Sequence, residues 1–428
     1  MNNKTLLEKI GSIKSLNNAW TLLNKENEYS HGLSGVTIKQ FRKDIKENIS
    51  KLSLSLLKDK FEFSPTRAAF RKKDNGDLRP LQIPEIKDRV VLKAIALQME
   101  KEFDEVLNKS EGISFAYQKG KGVREAVIQM KIEYDKGNSF ILKADIIKFF
   151  EKIDKYKLIN SIVLPNLSDN SIDKLISSAL RQKLGGLNRI NRKYRKIFDT
   201  SGKGIPQGNP LSPLLSNIYL IDFDVFTKQH GMSMIRYSDD FVVLFKSEEE
   251  AINGYHKIHS FLKEKYELEI HPIEEKNVNA KTQIINPQKS ELYFLSVKFD
   301  GKKLYPGRDK VGILKSKITK TIKGNRSNQK LIEELNNTID KWVAIHSYLD
   351  IDRYFDKIDI FVQSQLKKHV KKGDFAPMSV HDLAKRRRLC QMNKNKSSFW
   401  KRPELLKILP HIFKSKLSPP KFNNKQNL

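Results

Sequence analysis

Two carboxylates stand side by side in RYSDDFVVLF (236–245), Asp239 and Asp240, with apolar residues on both sides. A third, Asp145, ends the apolar stretch SFILKAD. Aspartate is common in turns, where its side chain bonds nearby backbone, so the pair alone fits a solvated hairpin tip. Asp145 changes that reading. It precedes Asp239 by 94 residues, and if the two strands are neighbours their carboxylates converge. Like charges that close raise each other's pKa unless cations lie between them. Two Mg²⁺ ions about 3.5–4 Å apart are one solution, one activating an attacking hydroxyl and the other steadying a leaving phosphate. Magnesium prefers carboxylate, carbonyl and phosphate oxygen, which suits a chain whose nine histidines show no metal-ligand spacing and whose only cysteine is Cys390. The turn is expected to be acidic because it holds metal: Mg²⁺, with Mn²⁺ as a substitute.

The elements that must position these carboxylates are legible in outline. The first 60 residues read as helical, with Leu22, Phe41, Ile45, Ile49 and Leu52 among the spaced apolar positions. AAFRKKDNGDLRPLQI predicts a β-hairpin around Asp-Asn-Gly. DRVVLKAIALQMEKEF predicts a buried helix, and SFAYQKGKGV a glycine- and lysine-bearing loop. Phe140, Ile141 and Leu142 open a strand that ends near Asp145. KYKLINSIV is helical in pattern. GIPQGNPLSPLLSNIYLIDFDVF reads as a loop feeding a helix, with Ser212 as N-cap and Pro213 in the first turn. The YSDD hairpin, an amphipathic helix near 248–265 and a short strand LEIHP follow. ELYFLSVKFDGKKLYPG predicts a β-pair closing around Asp300-Gly301. Beyond Arg308 the pattern turns helical, with Leu331, Leu335, Ile339, Trp342 and either Ile345 or His346 on one face. Strands interleaved with irregular helical insertions indicate an α+β class rather than a βαβ rhythm.

Charge bounds the partners. The 428 residues hold 80 Lys or Arg against 50 Asp or Glu, a formal net charge of +30. Residues 367–428 hold 17 Lys or Arg and three acids, so 14 of that surplus fall in the last 62 positions. Such a surplus calls for a polyanion, nucleic acid first and an anionic membrane surface second. No apolar run approaches the roughly 18–20 residues of a membrane span, and the opening MNNKTLLEKIGSIK lacks a signal peptide's apolar stretch. One cysteine excludes an intrachain disulfide and zinc sites built on cysteine pairs. The expectation is a cytoplasmic nucleic-acid-binding protein.

The motifs resemble a known family nearly end to end. NNAWTLLNKEN with GLSGVTIKQF, NGDLRPLQIPEIKDRVVLKAI, KADIIKFFEKI, GIPQGNPLSPLLSNIYL, RYSDDFVVLF, LEIHPIEEK with YFLSV, and IDKWVAIHSYL follow one another as in bacterial reverse transcriptases of the group II intron-like lineage. The resemblance implies a right-hand polymerase fold with an antiparallel-sheet palm, mixed fingers and an α-helical thumb, plus a basic C-terminal tail. It divides the chain into an N-terminal extension (1–50), fingers (51–135 with 156–207), palm (136–155 and 208–307), thumb (308–370) and a basic RNA-binding region (371–428).

Residue roles follow from the same resemblance. Asp145 and Asp239 are the expected metal ligands, with Asp240 beside them and the Ile146 carbonyl as a further oxygen. Arg79 grips the incoming triphosphate, as suits a bidentate guanidinium. Gln207 contacts the nucleotide and Gly208 lets backbone approach it. Phe150 forms a wall beneath the sugar that excludes a ribose 2′-OH, leaving Phe149 as the alternative exposed ring. Lys276 protonates the pyrophosphate leaving group. Arg89 and Lys143 are phosphate or structural contacts. Lys385, Arg386, Arg387 and Arg388, with Trp400 for stacking, bind nucleic acid.

The chain departs from the family's usual pattern at YSDD for YADD, at Asn209 in place of a glycine, and at YFLSV, which lacks a glycine. It shows neither a cysteine-paired HNH nuclease nor a retron-type VTG signature. The reading is an RNA-directed DNA polymerase using two Mg²⁺ ions and dNTPs on an RNA–DNA hybrid. It would act with a structured noncoding RNA in antiphage defence, as the so-called unknown-group enzymes do. The alternatives are an RNA-binding maturase or chaperone and a template-independent or protein-primed polymerase of the same fold.

Overall fold

A computed structural model describes residues 4–72, 76–198, 202–274, 280–324 and 328–369. It divides into two compact units, 1–286 and 287–428. The class is α+β.

At the heart of the first unit is a four-stranded antiparallel sheet. Its strands are Phe140–Asp145 (β3), Ser233–Tyr237 (β5), Asp240–Phe245 (β6) and Gln283–Ile285 (β7), in the order β5-β6-β3-β7. Phe241, Val242, Val243 and Leu244 of β6 are all buried. That continuous apolar run marks a strand covered on both faces, where alternation would mark one face in water. The helices Val123–Asp135 and Glu248–Tyr266 pack against it. Gly254 permits the second contact, because a Cβ there would stand 2.3 Å from the Phe245 ring. Burying the Phe241 side chain alone contributes about 2–3 kcal/mol.

A second sheet in this unit joins Leu78–Ile83 (β2), Thr66–Lys72 (β1) and the short Leu184–Gly185 (β4). β1 and β2 pair antiparallel, with Arg71 opposite Arg79; Asp74 and Asn75 of the expected turn lie outside the described residues. Helix Ile86–Glu102 follows β2, and Val90, Val91, Leu92, Ala94 and Ile95 are each fully buried. The N-terminal helices close on the same core through Leu6, Ile10, Leu16 and Ala19. A carboxylate ties the segment after them down: Glu85 accepts from the Ser34 amide and hydroxyl, both at 2.7 Å. Phe41, Ile49 and Leu52 are buried as the spacing predicts, whereas Leu22, at the end of its helix, is 55 % exposed.

The second unit carries a three-stranded antiparallel sheet, Leu292–Phe294 (β8), Val297–Phe299 (β9) and Leu304–Pro306 (β10), with helices Arg308–Gly324, Asn328–His346 and Phe355–His369. The sequence pattern shows one β-pair here; the structure has two. The extra turn is Leu295-Ser296, with φ of +51° and +60°. Two consecutive left-handed residues make the primed turn that two-residue hairpins favour, and without glycine nothing in the local sequence announces it. Leu331, Leu335, Ile339 and Trp342 line the core, and Ile345 is 66 % exposed, so His346 is the face's partly buried member.

Three local expectations change. Ser212 is the first residue of helix Ser212–Tyr219 rather than its cap, because its hydroxyl donates to the Pro206 carbonyl at 2.7 Å. LEIHP holds only an isolated bridge, Ile270 to Ile146. KYKLINSIV widens to π geometry from Leu158 to Val163. Among the described residues no helix is long and apolar enough to cross a membrane.

Candidate active site

Strands β3 and β6 are neighbours, and their register sets Asp145 directly opposite Asp240. Strands β5 and β6 pair up to Tyr237 opposite Asp240, so the hairpin loop is the two residues Ser238 and Asp239. Ser238 has φ +64°. A positive φ at the first central position suits a right-twisted hairpin, but for a side chain other than glycine it costs about 1–2 kcal/mol. The Asp239 carbonyl accepts from the Ile146 amide at 3.2 Å, which fastens the tip of the hairpin to the residue after Asp145. Sequence-distant carboxylates are thereby brought together by backbone pairing.

The electrostatics of the cluster follow from burial. Burial raises the Asp239 carboxyl above its ordinary value and the charge of Asp145 raises it further, while Arg79 on β2 pulls the other way. Asp240 is pushed up to about 7, by burial first, with Asp145 and Asp239 adding and Lys143 opposing. Lys143 lies two residues before Asp145 on the same sheet face. Burial lowers it, and the attraction of Asp240 offsets part of that. The remaining cation is Lys281, whose Nζ lies 2.9 Å from Asp145 Oδ2. Burial works to lower that ammonium, but its hydrogen bond to Asp145 and the charges of Asp240 and Asp239 prevail, and it is raised.

The loop 204–211 docks on the turn that follows β3. The Ile205 amide donates to the Phe150 carbonyl at 2.8 Å and the Gly204 amide to the Ile153 carbonyl at 2.7 Å. Gly204 has φ +84°, and a Cβ there would lie 2.8 Å from the Phe150 and Glu151 carbonyl oxygens. Phe149 is 1 % exposed and sits in the core, so Phe150 is the ring that reaches the surface of the pair. On its far side the loop joins β2, where the Gln82 amide donates to the Gln207 carbonyl at 2.8 Å. Gly208 has φ +103°, and a Cβ there would stand 2.9 Å from the Gln82 carbonyl oxygen. Asn209 is buried. Its Nδ2 donates to the Ala179 carbonyl at 3.1 Å and its Oδ1 accepts from the Leu211 amide at 2.8 Å, so an amide side chain there holds the loop's exit. Arg79, Gln207, Phe150 and the two aspartates thus all belong to the first unit, on elements bonded to one another.

Arg89 is held by the Pro84 carbonyl (3.0 Å) and the Ser30 hydroxyl (3.0 Å), a structural contact between the helix and the N-terminal segment. Lys276, Lys385, Arg386, Arg387, Arg388 and Trp400 lie outside the described residues. Lys281 was missed by the sequence reading. Its signal is the run AKTQII, whose end forms β7 against β3 beside Asp145. Also missed is Arg236, fully buried under the hairpin with Asp224.

Among the described residues no three His, Cys, Asp or Glu side chains converge as a metal group. Asp145 and Asp239, next to the Ile146 backbone, offer two carboxylates, a number compatible with a divalent cation held together with substrate phosphates rather than in a complete protein cage.

Comparison with known proteins finds a matching family and several relatives. The profile of the family described as reverse transcriptase (RNA-dependent DNA polymerase) matches residues 70–299. The chain is 26% identical over 215 residues to "Protein YkfC" of Escherichia coli (strain K12), covering 49% of this chain and 53% of that protein. It is 32% identical over 195 residues to "Group II intron-encoded protein LtrA" of Lactococcus lactis subsp. cremoris, covering 45% of this chain and 30% of that protein. It therefore spans about half the length of the first relative and under a third of the second. A solved structure of telomerase from Candida albicans with a fragment of telomeric RNA aligns over 87% of this chain and 71% of its own, at 12% identity and a TM-score of 0.39.

Proposed function

The chain belongs to the reverse transcriptase (RNA-dependent DNA polymerase) family, and from that premise we propose that it synthesises DNA on an RNA template. The observation that carries the reading is the placement of Asp145 at the end of β3 beside the Ser238–Asp239 tip, with the charge of Arg79 reaching Asp239. Asp145 and Asp239 would hold divalent metal, Mg²⁺ with Mn²⁺ as a substitute, and Asp240 lies next to them. The bound ions would supply activation of the primer hydroxyl and charge neutralisation at the leaving pyrophosphate. Arg79 binds the triphosphate through its paired donors. Gln207 orients the nucleotide, and Gly208 leaves room for it at the loop. Phe150 closes the space a ribose 2′-OH would need, which selects dNTPs. Lys281, hydrogen-bonded to Asp145, is a cation at the site that could protonate the pyrophosphate leaving group, the task expected of Lys276.

The hairpin β1–β2 would belong to the fingers (51–135 with 156–207), the β5-β6-β3-β7 sheet and the loop from Gly208 to the palm (136–155 and 208–307), and the helices from 308 to 370 to the thumb. The surplus of +30 suits an RNA–DNA hybrid and a structured noncoding RNA, held mainly through phosphate and shape. The finer reading is a cytoplasmic enzyme that acts with that RNA in antiphage defence. Primer extension by purified protein with Mg²⁺, comparing RNA with DNA templates and dNTPs with rNTPs, tests the chemistry. Template-complementary DNA from wild type and none from Asp239→Ala is expected. Product from the alanine variant, or none from wild type on any template with its co-purified RNA retained, would overturn it. Protection from phage in cells that Asp239→Ala abolishes is the expected sign of the defence role.

A further inference from the structure

Beneath the acidic hairpin lies a group that polymerisation as described above does not use. Arg236, in β5, is 0 % exposed, and so is Asp224 on helix Ile221–Gln229. The guanidinium Nε and Nη2 donate to the two Asp224 carboxylate oxygens at 2.7 and 2.5 Å. Nη1 donates to Asn217 Oδ1 at 3.2 Å and, at 3.0 Å, to the carbonyl oxygen of Ser238. Asn217 in turn donates from Nδ2 to the Ala116 carbonyl at 2.8 Å. The backbone of Arg236 bonds both ways to the neighbouring loop, its amide to the Ile113 carbonyl at 2.8 Å and its carbonyl to the Phe115 amide at 3.0 Å.

A buried ion pair is a poor way to stabilise a fold. Desolvation takes back most of the Coulomb gain, and well-packed apolar replacements of similar volume are often neutral or more stable. What an apolar pair cannot do is donate to the Ser238 carbonyl. That carbonyl belongs to the peptide joining Ser238 to Asp239, and Ser238 is the residue held at φ +64° without being glycine. A turn in an unfavoured conformation has competing geometries, and each turns the Asp239 carboxylate elsewhere.

We propose that Arg236 is a positioning residue for the metal site: clamped by Asp224 and Asn217, its guanidinium fixes the Ser238–Asp239 peptide so that Asp239 faces Asp145. The inference rests on the reading that Asp145 and Asp239 hold metal. It adds that the hairpin tip is set from below by a hydrogen bond, independently of the charges on its upper side.

The test pairs two variants with readouts that stability alone would leave unchanged. Arg236→Met/Asp224→Leu replaces the ion pair with apolar volume, and Arg236→Lys keeps the charge but cannot grip Asp224 with two donors and reach Ser238 as well. In the metal-free protein, hydrogen exchange of peptides covering 233–245 should quicken in both, while exchange in helix Ile86–Glu102 stays as in wild type. Mn²⁺ affinity, titrated on the full chain by electron paramagnetic resonance, should weaken about 10-fold. In primer extension the loss should fall on kcat, with KM for the primer–template within about 2-fold of wild type.

A folded variant with wild-type hairpin exchange and wild-type Mn²⁺ affinity would overturn the inference, and Arg236→Lys decides it if the double variant does not fold. Wild type that binds no Mn²⁺ would instead refute the metal reading beneath it. Hairpin exchange that still quickens in both variants would leave the clamp standing.

Discussion

Asp240 gives the sharpest quantitative consequence of the structure. Its carboxyl is pushed up to about 7 in the folded, metal-free protein, against about 3.9 for an unperturbed aspartate. Between those values the folded state keeps a proton that the unfolded chain releases. Stability contributed by this group therefore falls as pH rises from about 4 to 7 and stays low above that. Three units at 1.36 kcal/mol each give a ceiling of about 4 kcal/mol. Solvent reaches part of the side chain, which reduces the expected cost at pH 8 to about 2 kcal/mol. Asp240→Asn cannot ionise and should lose that slope, while Lys143 loses one attraction and trims the gain. The assay is urea unfolding with a chelator present, at pH 5 and pH 8, for both proteins. Because about a third of the loss is already complete at pH 5, wild type should lose about 1.3 kcal/mol more than the variant between the two pH values, equivalent to roughly 3–5 °C in Tm for a unit of this size. Parallel pH dependences in the two proteins would show that Asp240 is not desolvated as the fold implies, and the reasoning would fail.

Phe150→Ala should admit ribonucleotides, raising their incorporation relative to dNTPs by about 10-fold or more; unchanged selectivity in competition primer extension would place the sugar gate elsewhere. Lys281→Met removes the ammonium that now satisfies Asp145, so Mg²⁺ no longer displaces it. The Mg²⁺-induced rise in Tm should then exceed that of wild type, by a margin consistent with an exposed pair worth under about 1 kcal/mol, and an equal rise would count against competition between the two cations. Gly254→Ala drives a methyl into the Phe245 ring and should cost about 1–3 kcal/mol in urea unfolding; a neutral outcome would mean that the helix can lift off the sheet freely.

The acidic pair, the neighbouring strand and the proline-glutamine-glycine loop were all legible in the sequence, because each is encoded locally. An apolar run ending in a carboxylate and a proline- and glycine-bearing stretch that feeds a helical pattern are properties of a few adjacent residues. What the sequence hid is what arises across distance. Lys281 is one lysine among many until β7 pairs with β3 and brings it to Asp145. Arg236 reads as an exposed charge flanking a motif, and only the packing of helix Ile221–Gln229 turns it inward. Phe149 and Phe150 are indistinguishable as letters; the docking of Gly204 and Ile205 on the following turn orients them. The Leu295-Ser296 turn was hidden for a different reason, since neither residue type advertises positive φ.

The pairing of Asp145 with Asp240 also bears on how this chain can change. Side chains in a strand alternate faces with a period of two, so a slip of one residue exchanges everything above the sheet with everything below. β3 and β6 pair over six consecutive positions, from Phe140 with Phe245 to Asp145 with Asp240. A substitution along that ladder alters one contact and leaves the others in place. Loss or gain of a single residue inside it would turn Lys143 and the carboxylates toward the packed helices and bring Phe241 and Val243 up in their place. A library of single-residue deletions should therefore show a sharp dead zone across 140–145 and 233–245, including positions where most substitutions are accepted. For these two strands, reading frame within the sheet is a stricter inheritance than residue identity.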